Sequence, residues 1–480
     1  LNQKFKLKKD ENSGQYSIVA EGLTEEDLSV QLITPINMKA LCHKVIDEDT
    51  YSYKDEKLPF RELVKTFADN YEADRKIETE IGSKCKHCEF RASESQLQAG
   101  FKSGFHECFK FHLDWDEKDF KEDTIFDLWN FKGTDDCMRR GKIKLSSLTK
   151  ADIEFQTSSE PGLSKTERQW LQITKSRDKD PTYYLDKHGL EHEMKEWKYP
   201  RHFIDFETAT PTIPFNKGRR PNQLVAFQFS HHVVYEDGTV EHKSQFLHTK
   251  TGVNPNYEFV RALKKALEND EGTIFRYAPH ENFVLNTIYD ELMADEAEIA
   301  DREELCDFIR SITYRRVKKE PIAGPRNMVD LLELVKAYYY DPYMKGSNSI
   351  KVVLPAILNS SDYLKEKYSK PIYGAENGIR SLNFNNMTWI KYENGKVADP
   401  YKRLPKLFED ISDVDTELIN VHAELNNGSA ASVAYERLQA EDVPQELREA
   451  IEKGLLKYCE LDTLAMVMIY EAWIDMLNKS

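Results

Sequence analysis

Phe203-Ile204-Asp205-Phe206-Glu207-Thr208 decides the reading of this chain. Side chains alternate along a strand, so Asp205 and Glu207 point to one side while Ile204 and Phe206 point to the other. Two acids facing the same way on an otherwise apolar strand repel unless something positive sits between them. An edge strand with one wet face would show the same pattern, so further residues must decide.

Two other stretches carry acids. In Ile274-Phe275-Arg276-Tyr277-Ala278-Pro279-His280-Glu281 a short apolar strand ends in a Pro-containing turn, and Glu281 enters the first turn of a helix, where an acid suits the dipole. In Tyr458-Cys459-Glu460-Leu461-Asp462, Tyr458 and Asp462 stand four apart and share a helical face, while Glu460 points elsewhere. Each of these patterns is common by itself.

Around them the texture is that of an α/β sheet with helices packed on it. Leu224 to Phe229 reads as a strand, Val233 and Val234 precede a turn at Asp237-Gly238, and Tyr257 to Leu267 reads as a helix. Asn394-Gly395 signals a second hairpin, and Pro444 to Leu477 is helix-like throughout. Earlier in the chain, short strands flank a turn at Asn12-Ser13-Gly14, and a helical pattern runs from Pro59 to Ile81. Gln156 to Gly162 is a loop, after which Ser164 and Glu167 have capping-box spacing before a helix with Trp170 and Leu171. The expected organisation is residues 1–145 as a smaller α+β cysteine-bearing segment, 146–195 as a helical linker, and 196–480 as the α/β domain.

Composition sets outer limits. The 480 residues carry 83 acidic and 67 basic side chains, a formal charge of −16, with 40% apolar residues. That is ample for globular cores, and no apolar run approaches the roughly 18 residues of a membrane span. The charge argues against coating nucleic acid with the whole surface. It leaves room for local basic clusters, at Lys217, Arg219 and Arg220 and at Arg315, Arg316, Lys318 and Lys319, although most such clusters are solvated surface. Seven cysteines without a secretion signal point to a reducing, cytoplasmic setting. The opening LNQKFKLKKD, with Leu at position 1, reads as the continuation of a longer chain.

Taken in order, Asp205 and Glu207, then Glu281, then Tyr458 and Asp462 resemble the DEDD 3'-5' exonucleases of the RNase H-like fold, the proofreading and RNase D type. The resemblance implies an RNase H-like mixed sheet flanked by helices. It also implies two Mg²⁺ or Mn²⁺ ions held by Asp205, Glu207, Glu281 and Asp462, with Tyr458 orienting the attacking water. Glu281 departs from the family, which usually has Asp there. A wider stretch, from about Tyr199 to Trp473, is similar to a bacterial family of uncharacterised nuclease-type proteins. It includes Arg220-Pro221, Phe227 to Ser230, Asp330-Leu331-Leu332 and Ser349-Ile350-Lys351. In that family a RecB-like nuclease segment precedes the exonuclease-like domain.

The physics of the acids agrees with cations. Each close pair would repel by about 4 kcal/mol at ~4 Å and an effective dielectric of ~20, and oxygen-only ligands favour Mg²⁺ or Mn²⁺ over zinc. Arg219, Arg220 and Lys351 are the candidate nucleic-acid contacts. The chain between Glu281 and Tyr458 is longer than a compact fold of this kind requires, so an insertion is expected between about 340 and 430. Phe384, Trp389 and Tyr392 within it read as core or, alternatively, as stacking residues for a single strand.

Cys85-Lys86-His87-Cys88, followed by Cys108, has the look of metal ligation. Zinc is one reading, with Cys137 or one of His87, His106 and His112 as fourth ligand. The other comes from resemblance to RecB-like nucleases with an iron–sulfur staple, whose fourth cysteine would lie before Leu1, in a missing N-terminal part of the same chain. The function expected from the whole is a metal-dependent 3'-5' exonuclease acting on single-stranded or 3'-ended DNA. The alternatives are an RNA exonuclease and a non-catalytic nucleic-acid binding or assembly module.

Overall fold

A computed structural model describes residues 5–9, 16–20, 37–53, 56–216, 218–317, 320–404, 428–439 and 443–479. The chain divides into two compact units, one of Leu1–Glu122 with Thr134–Met138, the other of Asp123–Gly133 with Arg139–Ser480. In the first, the strands Phe5–Lys9 and Tyr16–Ala20 pair antiparallel, as do Thr50–Tyr53 and Glu56–Pro59. The expected turn at Asn12-Ser13-Gly14 lies outside the described residues. The helix expected over Pro59 to Ile81 is shorter, Phe60–Glu72. It stops because Asp74 adopts a left-handed backbone (φ 48°) and the Arg75 N–H turns back onto the Asn70 carbonyl, the wrapped ending that closes many helices.

The second unit begins earlier than the sequence suggests. Helix α1, Lys165–Asp178, was expected within a linker, yet it buries Arg168, Gln169, Gln172, Ile173 and Lys175. Gln172 accepts from the Trp129 N–H at 3.1 Å and donates to the Asp127 carbonyl at 2.6 Å, and Gln169 donates to the Trp129 carbonyl at 2.9 Å. Those bonds tie residues 127–129 to this unit rather than to the cysteine-bearing one. Arg168 donates to the carbonyls of Val335, Lys336 and Tyr339 and to Asn348 Oδ1. Because the helix buries polar groups, its inward face carries no apolar stripe to read. Its start is as expected: Ser164 Oγ accepts from the Glu167 N–H at 3.2 Å, and Glu167 Oε2 accepts from the Ser164 N–H at 2.9 Å. Ser164→Ala is expected to cost about 1 kcal/mol of stability, read as a lowered urea midpoint with unchanged slope.

The sheet follows. Strand β1, Arg201–Ala209, pairs antiparallel with β2, Val225–Val234, which turns through Asp237-Gly238 into β3, Val240–Leu247. Helix α2, Asn256–Leu267, leads to β4, Ile274–Arg276, parallel to β1. After helix α3, His280–Ala294, strand β5, Val329–Asp330, lies parallel to β4. The order is β5-β4-β1-β2-β3, a mixed sheet with the acid-bearing strand at its centre. Strand β2 is buried throughout and runs past the expected Leu224–Phe229 to take in Val233 and Val234. His231 and His232 interrupt its apolar run, and both find buried partners: His231 bonds His202 at 2.9 Å, and His232 bonds Thr463 at 2.7 Å and Tyr373 at 2.9 Å.

Alternation along β1 separates two cores. Ile204 and Phe206 pack with Phe259 of α2 and Leu285 of α3 on one face. Phe203 packs on the other face among residues of three further helices: α4, Ile350–Ser360; α5, Gly428–Leu438; and α6, Gln445–Asn478. Helix α6 crosses β1, β2 and β3. The described part of the expected insertion is integral to this second core. Trp389 and Tyr373 are fully buried and Phe384 nearly so, which removes Phe384 and Trp389 as stacking residues, whereas Tyr392 is exposed. The Asn394-Gly395 turn forms as expected, with both residues at positive φ (51° and 77°) between two short paired strands. No helix among the described residues is long and apolar enough to cross a membrane.

Candidate metal centre

Asp205 and Glu207 leave β1 on the face covered by α6, and Asp462 comes down from the middle of that helix. Ligand oxygens of the three lie within 4.8 Å of one another. Glu207 and Asp462 are buried, Asp205 half-buried. The pairing register breaks between Glu207 and Thr208, an irregularity of the kind that re-aims a side chain beside a site. Helix α6 comes close to β1: Cys459 Sγ lies 3.5 Å from Asp205 Oδ2.

Electrostatics records the crowding. Burial first, then Asp462, Glu207 and Glu281, push the Asp205 carboxyl well above the ordinary carboxylate range. Glu207 is raised by burial and by Asp462 and Glu281, against the pull of the Lys351 ammonium. Asp462 is pushed up to about 6 by burial, opposed by Lys351 and by hydrogen bonds from Tyr401 and Tyr458. Tyr458 is buried and its hydroxyl is held far above its usual range by burial and then by Asp462 and Glu207. Lys351 Nζ donates to that hydroxyl at 2.5 Å.

Glu281, the fourth expected ligand, stands outside this trio. It stands in the first turn of α3, 1% exposed, but its carboxylate is not one of the three that come together. It lies against β1, accepting from the Phe206 N–H, and burial lifts it to about 8 despite nearby Arg276. One of its oxygens, Oε2, has no hydrogen-bond partner. The route from β4 into α3 explains the displacement: Asp330 takes Arg276 at 2.7 Å and the Ala278 N–H at 2.9 Å, which fixes the turn at Ala278 with φ 79°. Glu281 is near enough to raise Asp205 and Glu207, not to share one ion with them as the fold stands.

The basic candidates divide. Lys351 belongs to the centre. Arg219 is half-buried, its guanidinium paired with Glu291 at 2.9 and 3.1 Å. Arg220 is exposed. Arg315 pairs with Asp290 and Arg316 with the Tyr314 hydroxyl, and Lys217, Lys318 and Lys319 lie outside the described residues.

Two participants escaped the sequence reading. Cys459 touches Asp205, and its spacing of three from Asp462 was the available signal. Tyr401 donates to Asp462 Oδ1, and nothing in its spacing tied it to the acids. Glu460 points away from the site, as expected, and accepts from Tyr373, Ser381 and Asn383 while lying 3.1 Å from His242. Ser230, His242 and Glu460 have the connectivity of a hydrolytic triad, with Ser230 Oγ 3.0 Å from His242 Nε2. All three are at most 1% exposed, so no substrate reaches them, and the set is a buried polar brace.

In the first unit, Cys85 lies within the short helical turn Ser83–His87, Cys88 directly follows it, and Cys108 sits on the helix Gly104–Leu113. Cys108 contacts Thr79 Oγ1 at 3.7 Å, and the Gly82 N–H points to Cys85 Sγ at 3.5 Å. Sulfurs on one tetrahedral zinc would stand about 3.8 Å apart. Among the described residues the only set of three or more candidate ligands with atoms within 4.8 Å is Asp205, Glu207 and Asp462, so the cysteines are not gathered as one zinc ion would require. His112 is engaged by the Thr79 carbonyl and Cys137 is buried.

Residues 202–349 match a domain of unknown function, DUF2779. The matched stretch is under a third of the chain. It contains Asp205, Glu207 and Glu281 and stops short of Lys351, Tyr401, Tyr458 and Asp462. No curated protein and no solved structure gave a match.

Proposed function

We propose that the second unit is a metal-dependent 3'-5' exonuclease. The observation that carries the reading is the convergence of Asp205, Glu207 and Asp462, three acids brought from the central strand and a helix more than half the chain away. Their donors are all oxygen, as Mg²⁺ and Mn²⁺ prefer. Oxygens on one octahedral Mg²⁺ at about 2.1 Å lie about 3.0 Å apart when adjacent and about 4.2 Å when opposite, so the trio would draw together by up to about 2 Å to share an ion. The mixed sheet with acids on its central strand and Tyr458 four residues before Asp462 supports the RNase H-like, DEDD-type form of this activity.

Bound divalent cations would activate a water and stabilise the leaving 3'-oxygen of a phosphodiester. The chain's own contributions follow from its contacts. Tyr458, with its hydroxyl held protonated, is no general base; donating to Asp462 and accepting from Lys351, it keeps an oxygen lone pair free to orient a water. Lys351 offsets part of the charge of Glu207 and Asp462. The displaced Glu281, with its unpartnered Oε2, is the group free to move inward for a second ion.

The test is degradation of 3'-labelled single-stranded DNA with Mn²⁺ or Mg²⁺, run beside RNA of the same sequence and with a chelator control. Metal-dependent shortening from the 3' end by the wild type and not by Asp205→Ala is expected. Equal residual activity in both proteins, or binding without turnover, would leave a nucleic-acid binding module as the better reading. For the first unit, we propose the iron–sulfur assignment of Cys85, Cys88 and Cys108. Anaerobic purification and metal analysis check it; stoichiometric zinc without iron would end it.

A further inference from the structure

The segment that ends at Tyr401 is built to hold one hydroxyl still. The Asn394-Gly395 hairpin returns to α4 through Asn359, whose Oδ1 accepts from the Val397 N–H at 2.9 Å. Asp399 then caps the short turn Pro400–Arg403, accepting from the Tyr401 N–H at 3.0 Å, and Arg403 is anchored on the Thr388 carbonyl. The same α4 carries Lys351, whose Nζ lies 5.5 Å from the Tyr401 ring centre and 4.8 Å from that of Tyr458. Tyr401 is 4% exposed. A buried tyrosine must place its O–H on some acceptor; this one places it on Oδ1 of Asp462, one of the three converging carboxylates.

We infer that Tyr401 is a positioning residue that sets which cation the carboxylate centre prefers, by occupying Oδ1 of Asp462 and so keeping that carboxylate from chelating an ion through both oxygens. The inference rests on the reading of Asp205, Glu207 and Asp462 as a divalent-cation site. Mg²⁺ and Mn²⁺ take single oxygens in a compact octahedron, whereas Ca²⁺ accepts six to eight oxygens and uses bidentate carboxylates. A donor fixed on one oxygen favours the first geometry and works against the second. Partners of this type hold ligands in orientation, and their loss typically weakens metal binding about 10- to 100-fold.

Calorimetric titration of the full chain with Mn²⁺, Mg²⁺ and Ca²⁺ tests this without reference to activity. Tyr401→Phe keeps the ring and removes the hydroxyl. Mn²⁺ and Mg²⁺ affinities are expected to fall about tenfold, with Ca²⁺ affinity unchanged or higher, so that the Mg²⁺-to-Ca²⁺ preference drops. An even loss for all three ions, or no change in the ratio, overturns the inference while leaving the metal site standing. A wild type that binds none of the ions overturns the metal reading itself. Asp399→Ala loosens the turn without touching the hydroxyl; it is expected to move the ratio in the same direction, and it decides the matter should Tyr401→Phe fail to fold. In an Asp462→Asn background, Tyr401→Phe is expected to shift the ratio no further, since the two act as one unit.

Discussion

Asp205→Asn is expected to lower metal-dependent release of nucleotides from a 3'-labelled single strand by about a thousandfold, some 4 kcal/mol of lost transition-state stabilisation. The replacement keeps the shape of the side chain and its contact with Cys459, while removing the charge that a cation needs on the central strand. The metal-free protein is expected to become more stable, because burial and three neighbouring acids all resist ionisation of this carboxyl. The pairing of these outcomes is what identifies a site. A residue that only maintained the fold would lose activity and stability together. Rates against a melting curve in chelator separate the two; a destabilised, inactive Asp205→Asn would speak against the assignment.

The second large effect is a pH dependence of stability that a cation reshapes. A carboxyl whose pKa is higher folded than unfolded holds its proton more tightly in the native state, so its contribution is fully present below its unfolded value and is lost as pH rises through the folded one. For Asp462 that window runs from about 4 to about 6, and for Glu281 from about 4 to about 8. Asp205 and Glu207 shift in the same direction. Buried histidines act oppositely. Burial lowers His202, His231 and His232, so each favours folding above about 6.5 and withdraws that support as pH falls through its folded value. Without metal, stability is therefore expected to decline by several kcal/mol between pH 5 and 8.5 on the carboxyl side and to decline again in acid on the histidine side. Saturating Mn²⁺ is expected to remove the share of the alkaline decline that Asp205, Glu207 and Asp462 supply, leaving that of Glu281 and the acid decline. Urea midpoints at pH 5, 7 and 8.5, with Mn²⁺ and with chelator, measure both. An alkaline decline of the same size with and without Mn²⁺ would place its origin outside the three converging carboxylates.

The parts of the site that sequence could reveal are those whose chemistry shows in local spacing. Asp205 and Glu207 are two apart on a strand with an apolar reverse face, and Tyr458 and Asp462 are four apart on a helix; both periods survive into the fold. Glu281 was visible as a first-turn acid, but its distance from the other three depends on how Asp330 and Arg276 set the turn before it, a tertiary matter that no local pattern encodes. Tyr401 reaches Asp462 through a cap, a hairpin and a clamp from Asn359, none of which leaves a signature beside the acids. The same holds for α1, whose inward face is Arg and Gln. Burial achieved by hydrogen bonds rather than by apolar area is invisible to hydrophobic patterning. Arg219 illustrates the converse, since a basic run in sequence can be spent inside the fold, here on Glu291.

The reach of α6 back to β1 has a consequence for the chain as it is made. Cys459 and Asp205, in contact in the finished fold, are 254 positions apart, and closing so long a loop comes late because its entropy must be met before the contact rewards it. A nascent chain that has passed β1, and even the whole stretch through residue 349, carries two of the converging acids and no partner for them. If the proposed activity holds, hydrolytic competence would arise only after residue 462 has been translated and α6 has docked, and incomplete products of synthesis, or fragments cut before that helix, would lack it.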